Sequence, residues 1–219
     1  MSPPLKDISM TTNGILLEDM LHDLKSAGLQ RINISLDALD ADTFKKITGA
    51  DSFDAVWSSI IKAVSIGFKR IKLNTVLLKG VNDKSILEFA EITRRHAIDV
   101  RFIEYMGSVF QYVPRREALQ RLKEHYSIET VANYPFEGGG PAEYMRIHGA
   151  KGFLGLISPN THNFCSKCTR IRLTADGRLF PCLFSPRHID MVGMPNISGF
   201  STMKAGIKRK GETITFCGG

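Results

Sequence analysis

Arg31-Ile-Asn-Ile-Ser-Leu-Asp37 alternates without a break: Arg31, Asn33, Ser35 and Asp37 share one face of an extended chain, and Ile32, Ile34 and Leu36 share the other. The pattern recurs downstream, where Arg70, Lys72 and Asn74 oppose Ile71, Leu73 and Thr75. Upstream, Asp7, Ser9, Thr11 and Asn13 fall on a common face. These periods predict strands over Asp7–Thr12, Arg31–Asp37 and Arg70–Leu78, with another over Val100–Met106. Helical spacing fills the gaps at Leu16–Ala27, Phe53–Ile66 and Lys84–His96. Gly28 and Gly67 stand just past two of these helices, where a left-handed closing residue is wanted. Asp51 or Ser52 suits the cap of the Phe53 helix.

Strand and helix alternating at this spacing imply right-handed βαβ units and a parallel sheet or barrel. Parallel strands covered on both sides read as unbroken apolar runs. Here one face is polar. That implies a wet cavity holding a polar ligand, or an open sheet with one solvated face. Beyond residue 106 the pattern is less regular. Glu117–Tyr126 reads as a helix, Glu137-Gly-Gly-Gly-Pro141 as a loop or boundary, and Gly152–Ser158 as a strand. The expected division is 1–106 and 107–219.

The 219 residues are 43% hydrophobic and 23% charged, which excludes a disordered chain. The net charge of +7 suits a polyanion: nucleic acid, an acidic membrane surface or a nucleotide phosphate. No apolar run approaches the ~20 residues that span a bilayer, so no membrane partner is expected. The opening Met1-Ser-Pro-Pro-Leu-Lys6 is neither a secretory signal nor an Arg-rich transit peptide.

Three of the four cysteines cluster as C-x2-C-x13-C at Cys165, Cys168 and Cys182, with Cys217 apart. Such crowding suits a metal centre better than a disulfide scaffold. Thr174-Ala-Asp-Gly177 reads as a hairpin turn that brings the third thiolate back to the first two. Structural zinc closes with four ligands, which His162, His188 or Cys217 could complete. A cubane held by three thiolates leaves one iron open to a substrate. Spacing alone fits both. Arg170 and Arg172 project alike from a strand, either to hold a phosphate or to offset an anionic cluster.

Cys168-x-Arg170-x-Arg172-Leu, followed by Gly177-x-Leu179 and Cys182-Leu-Phe184, resembles the C-terminal cluster region of the GTP 3′,8-cyclases of molybdenum cofactor biosynthesis. Thr11-Thr-Asn-Gly14, Ile32–Asp37, Ile71–Val76 and Arg101-Phe-Ile-Glu-Tyr-Met106 are similar to that family in the same order. The resemblance implies a partial (βα) barrel of the radical-SAM type with a small iron–sulfur extension. It also implies two [4Fe–4S] clusters. One cleaves S-adenosylmethionine to a 5′-deoxyadenosyl radical, which abstracts the ribose 3′ hydrogen of GTP. The other binds GTP, which becomes 3′,8-cyclo-7,8-dihydro-GTP. By the same resemblance Cys165, Cys168 and Cys182 ligate the substrate-side cluster. Thr11, Lys72, Arg170 and Arg172 hold GTP, and Ser35 and Met106 contact S-adenosylmethionine. Gly218 and Gly219 match a Gly-Gly tail that reaches the active site. The compartment implied is the bacterial cytoplasm or the mitochondrial matrix.

The family's N-terminal C-x3-C-x2-C motif has no counterpart in these residues. The expectation is a barrel lacking its first two strands. Such a chain alone is inactive in radical generation, and it associates as a homodimer or with a complementing N-terminal segment. The competing readings are a non-catalytic GTP and iron–sulfur binding module and a zinc-ribbon nucleic-acid binder. The last is ranked lowest because few basic and aromatic residues flank the cysteines.

Overall fold

A computed structural model describes residues 7–136, 140–162, 170–183 and 185–192. The chain forms two compact units, Met1–His162 and Asn163–Gly219. The first unit contains β1 (Ser9–Thr12), α1 (Leu17–Ser26), β2 (Arg31–Ser35), α2 (Ala41–Thr48), α3 (Phe53–Ile66), β3 (Arg70–Leu77), α4 (Ile86–Arg95), β4 (Ile98–Glu104), α5 (Arg115–His125), β5 (Ile128–Val131), β6 (Glu143–Ile147) and β7 (Leu154–Ile157).

Its seven-stranded sheet has the order β1-β2-β3-β4-β7-β6-β5. β1 to β4 are mutually parallel, as the alternation predicts. β7 then joins parallel to β4, and β6 and β5 complete the sheet antiparallel. The sheet therefore runs on through the 106/107 boundary expected from sequence.

The apolar faces of the strands are buried with the helices. Ile32, Ile34, Leu36, Ile71, Leu73, Ile98, Val100, Phe102, Leu154 and Leu156 form one core with Leu21, Val56, Ile60, Ala63, Phe89 and Ala90. Each such side chain contributes about 1.5–3 kcal/mol when fully buried. The helix stops are local. Gly67 closes α3 at φ +76°, and Gly28 follows α1 at φ +95°, both left-handed as expected. Ser52 is the cap residue of α3, but its side chain bonds no helix N–H. Asp51 pairs instead with Lys45 at 3.0 Å.

Two features go beyond the sequence pattern. Residues Ala41–Thr48 form a short helix capped by Asp40, whose carboxylate accepts from the Thr43 N–H at 2.8 Å. The β5–β6 hairpin arises from the region without clear periodicity.

The second unit contains β8 (Arg172–Leu173), β9 (Arg178–Phe180) and β10 (Ile189–Asp190), an antiparallel sheet ordered β10-β9-β8. Among the described residues no helix is long and apolar enough to cross a membrane.

Candidate functional site

The strand registers turn the polar face into layers. Ser9, Arg31 and Arg70 form one row, and Thr11, Asn33, Lys72 and Asp99 the next. Ser35, Asn74, Arg101, Gly155 and Tyr144 form a third. A strand rises about 3.3 Å per residue, so successive rows lie about 6–7 Å apart.

Asp99 of the second row and Asp7, just before β1, are matched to arginines. Asp7 pairs with Arg31, with Nε to Oδ1 at 2.7 Å. Asp99 is fully buried and takes Arg70 in a two-point pair, with Nε to Oδ2 at 2.9 Å. Asp99 also accepts the Phe153 N–H at 3.0 Å and the Tyr134 hydroxyl. Phe136 and Phe153 cover the Arg70 guanidinium, at 3.9 and 5.2 Å from their centroids.

Lys72 lies at the middle of the second row and is 0% exposed. Its ammonium donates to the Tyr144 hydroxyl at 3.4 Å and sits 4.6 Å from the Tyr134 ring centroid. Tyr134 and Tyr144 stack at 3.8 Å. Burial, followed by the neighbouring charge of Arg101, lowers the Lys72 ammonium to about 7. Burial with Asp99 alongside pushes the Tyr134 phenol up.

The residues marked by resemblance are partly assembled. Thr11 is exposed on β1, and its Oγ1 accepts from Asn33 Nδ2 at 3.2 Å. It shares a row with Lys72. Ser35 is exposed at the far end of β2, and Met106 is half-buried two residues beyond β4.

In the second unit Thr174 to Gly177 turns a hairpin, as predicted: Gly177 N–H donates to Thr174 O at 3.0 Å, and Thr174 N–H to Arg178 O at 2.9 Å. Arg172 pairs with Phe180 and Leu173 with Leu179. Cys182 is half-buried, Arg172 is half-buried on β8, and Arg170 is exposed. Cys165, Cys168, Gly218 and Gly219 lie outside the described residues, as does Cys217. Of the other candidate zinc ligands, His162 faces Glu143 at 3.3 Å in the first unit, and His188 faces Asp190 at 3.6 Å in the second. Among the described residues no group of three or more potential ligands could hold a metal ion.

The model of the radical SAM superfamily matches residues 2–93, and that of Molybdenum Cofactor Synthesis C matches residues 98–197. The GTP 3′,8-cyclase of Moorella thermoacetica is 42% identical over 197 residues, spanning 87% of this chain and 60% of the relative. That of Thermodesulfovibrio yellowstonii is 43% identical over 192 residues, spanning 85% and 59%.

The chain is a relative of the GTP 3′,8-cyclases.

It spans about 60% of the length of these curated relatives. The crystal structure of Streptococcus suis SuiB superposes with a TM-score of 0.64 at 15% identity, over 91% of this chain and 50% of that one, which shows the radical-SAM fold. Within the family frame, Asp99, Arg101, Tyr134 and Tyr144 are the site residues that sequence reading missed. Asp99 continues the alternation only for a strand begun at Ile98 rather than Val100, whereas Arg101 lies inside the expected strand but is followed on its face by the apolar Ile103. Tyr144 carries no local signal, because sheet pairing brings it to the face, and Tyr134 stands in the irregular stretch after β5.

Proposed function

We propose that this chain carries the GTP-holding part of a GTP 3′,8-cyclase, acting in molybdenum cofactor biosynthesis. Thr11, Lys72, Arg170 and Arg172 would bind GTP. Ser35 and Met106 would contact S-adenosylmethionine. Cys165, Cys168 and Cys182 would hold a [4Fe–4S] cluster whose open iron supplies a Lewis-acidic site for the substrate. The hairpin at Thr174–Gly177 supports that ligand set, since it turns the chain back on itself between Cys168 and Cys182 in the sequence. Gly218 and Gly219 are proposed as a side-chain-free tail able to enter a narrow site.

The observation that carries the reading is the basic, hydrogen-bonded polar face, in which Thr11 and Lys72 share one row and Ser35 stands in the next. A phosphate laid along the row would lie over Lys72, behind the cover of Tyr134 and Tyr144. The layering would keep a ligand at Ser35 one row away from a ligand at Lys72, the spacing two co-substrates need. The relatives named above are bacterial, so we place this activity in a bacterial-type cytoplasm.

Anaerobic reconstitution with iron and sulfide, followed by metal analysis and low-temperature EPR with and without GTP, tests the proposal. One [4Fe–4S] cluster per chain with a spectrum that shifts on GTP addition is expected. Stoichiometric zinc with no response to GTP would sink the iron–sulfur reading and favour a zinc ribbon.

A further inference from the structure

Asn33 is buried at 8% exposure, and both ends of its carboxamide are engaged. Its Oδ1 accepts from Arg101 Nη2 at 2.8 Å. Its Nδ2 donates to the Met10 carbonyl at 3.3 Å and to Thr11 Oγ1 at 3.2 Å. These partners leave the carboxamide one orientation. A guanidinium has donors only, so the amide oxygen must face Arg101. A backbone carbonyl only accepts, so the NH2 must face β1. Arg101 is steadied in turn, its Nε donating to Asn74 Oδ1 at 2.8 Å. Polarity is thus handed on from Arg101 to Asn33, and from Asn33 to Thr11.

The consequence falls on the Thr11 hydroxyl. A hydroxyl carries one O–H donor and two acceptor lone pairs. Asn33 occupies a lone pair, so the proton cannot point at Nδ2, which is itself a donor. Among the described residues no acceptor receives that proton. Thr11 is exposed on β1, at the end of the sheet order. A free threonine hydroxyl can rotate to donate or to accept. This one is left to donate, away from Asn33.

We propose that Asn33 is a positioning residue that holds the Thr11 hydroxyl as a donor toward the ligand, so that the ligand atom seated at Thr11 is a hydrogen-bond acceptor. That the ligand is GTP rests on the reading above, whereas the polarity of the hydroxyl does not.

Equilibrium dialysis of GTP against the full 219-residue chain tests this with the parent, Thr11→Val, Asn33→Asp and the double variant. Asn33→Asp keeps the shape and still satisfies Arg101, but it puts an acceptor where Nδ2 stood. The Thr11 proton then turns inward, and the ligand loses its donor. In the parent, Thr11→Val should weaken GTP binding about fivefold, the scale of one neutral hydrogen bond. In the Asn33→Asp background the same change should cost less than about twofold. Comparing one change in two backgrounds cancels the added charge and any general loosening of the fold. An equal loss in both backgrounds, or no loss in the parent, overturns the proposal. Proton exchange of the Asn33 carboxamide, followed by NMR without ligand, checks the contact by itself. Thr11→Val should speed that exchange severalfold, and Thr11→Ser should not. Exchange unchanged by Thr11→Val would overturn the contact, and the proposal with it. A parent that binds no GTP would remove the cyclase reading, and the exchange measurement would then decide the polarity alone.

Discussion

The Lys72 ammonium sits 4.6 Å from the centroid of the Tyr134 ring, entirely out of contact with solvent. A cation with an aromatic lid is favoured over one facing an alkyl surface, yet burial still lowers its proton affinity to about 7.

That value makes stability depend on pH in a fixed direction. The folded pKa of Lys72 lies below its unfolded value of 10.5. Between the two, the unfolded chain binds more protons, so stability rises with pH over that window. Below about 7 the buried charge opposes folding in full. Lys72→Met should therefore raise the free energy of urea unfolding most at pH 6, by roughly a few kcal/mol, and by little near pH 10. A gain independent of pH would show that Lys72 is not the titrating group.

GTP binding should take up a proton near neutral pH, because a phosphate beside Lys72 restores its charge. Calorimetry in buffers of different ionisation enthalpy reads this directly. Uptake should approach one proton per GTP above pH 8 and vanish in Lys72→Met. Binding without proton exchange would place the phosphates away from Lys72.

Tyr134→Ala should uncover Lys72. The truncation removes a stacked ring and the phenol on Asp99, at a cost of about 2–4 kcal/mol. Amine labelling followed by mass spectrometry should leave Lys72 unmodified in the parent and modified in the variant. Lys72 modified equally in both would mean that the aromatic cover opens freely in solution.

Glu104 is 4% exposed and ties three segments together. It accepts N–H groups from Arg115 at 2.9 Å and from Asn160 and Thr161 at 3.0 Å each, together with the Thr161 hydroxyl. Glu104→Gln exchanges one acceptor oxygen for an NH2 among these donors. A loss of about 2 kcal/mol in chemical unfolding is expected. Gly152→Ala should be worse. A Cβ at 152 would fall 1.9 Å from the Ile98 carbonyl oxygen, so β7 could not seat without backbone movement. Loss of more than about 3 kcal/mol, or failure to fold, is expected.

Cys182→Ser should lower reconstituted iron from roughly four atoms per chain to near none while leaving the unfolding of the first unit unchanged. Retained iron with an intact spectrum would exclude Cys182 as a ligand. In the parent chain, reduction with S-adenosylmethionine should yield no 5′-deoxyadenosine, since its 219 residues contain no C-x3-C-x2-C. Detection of that nucleoside would overturn the expectation.

The polar face was legible because side-chain direction in a strand has period two. Arg31-Ile-Asn-Ile-Ser and Arg70-Ile-Lys-Leu-Asn announce it from one segment each. The hairpin at Thr174–Gly177 was legible for a similar reason, its turn chemistry being local. The cover over Lys72 was not. Tyr144 reaches the face because β6 pairs with β7 and β7 with β4, and no window of sequence contains that relationship. Asp99 failed more narrowly. His96-Ala-Ile98 reads as a helix ending, and moving the start of β4 by two residues removed its first polar position from view.

The adjacency of β4 and β7 also fixes an order of events during synthesis. β4 ends at Glu104, and its partner begins at Leu154. At about 5–20 residues per second the ribosome needs several seconds to supply that partner. For that interval one flank of β4 has no neighbour, and the two tyrosines are not yet in place. Lys72 and Arg101 therefore meet water and free anions in the nascent chain before they meet their aromatic neighbours. The cysteine segment is translated later still. Closure of the sheet can thus precede metal loading, and a chain stalled between Glu104 and Leu154 would expose an unpaired strand edge to the quality-control machinery of the cell.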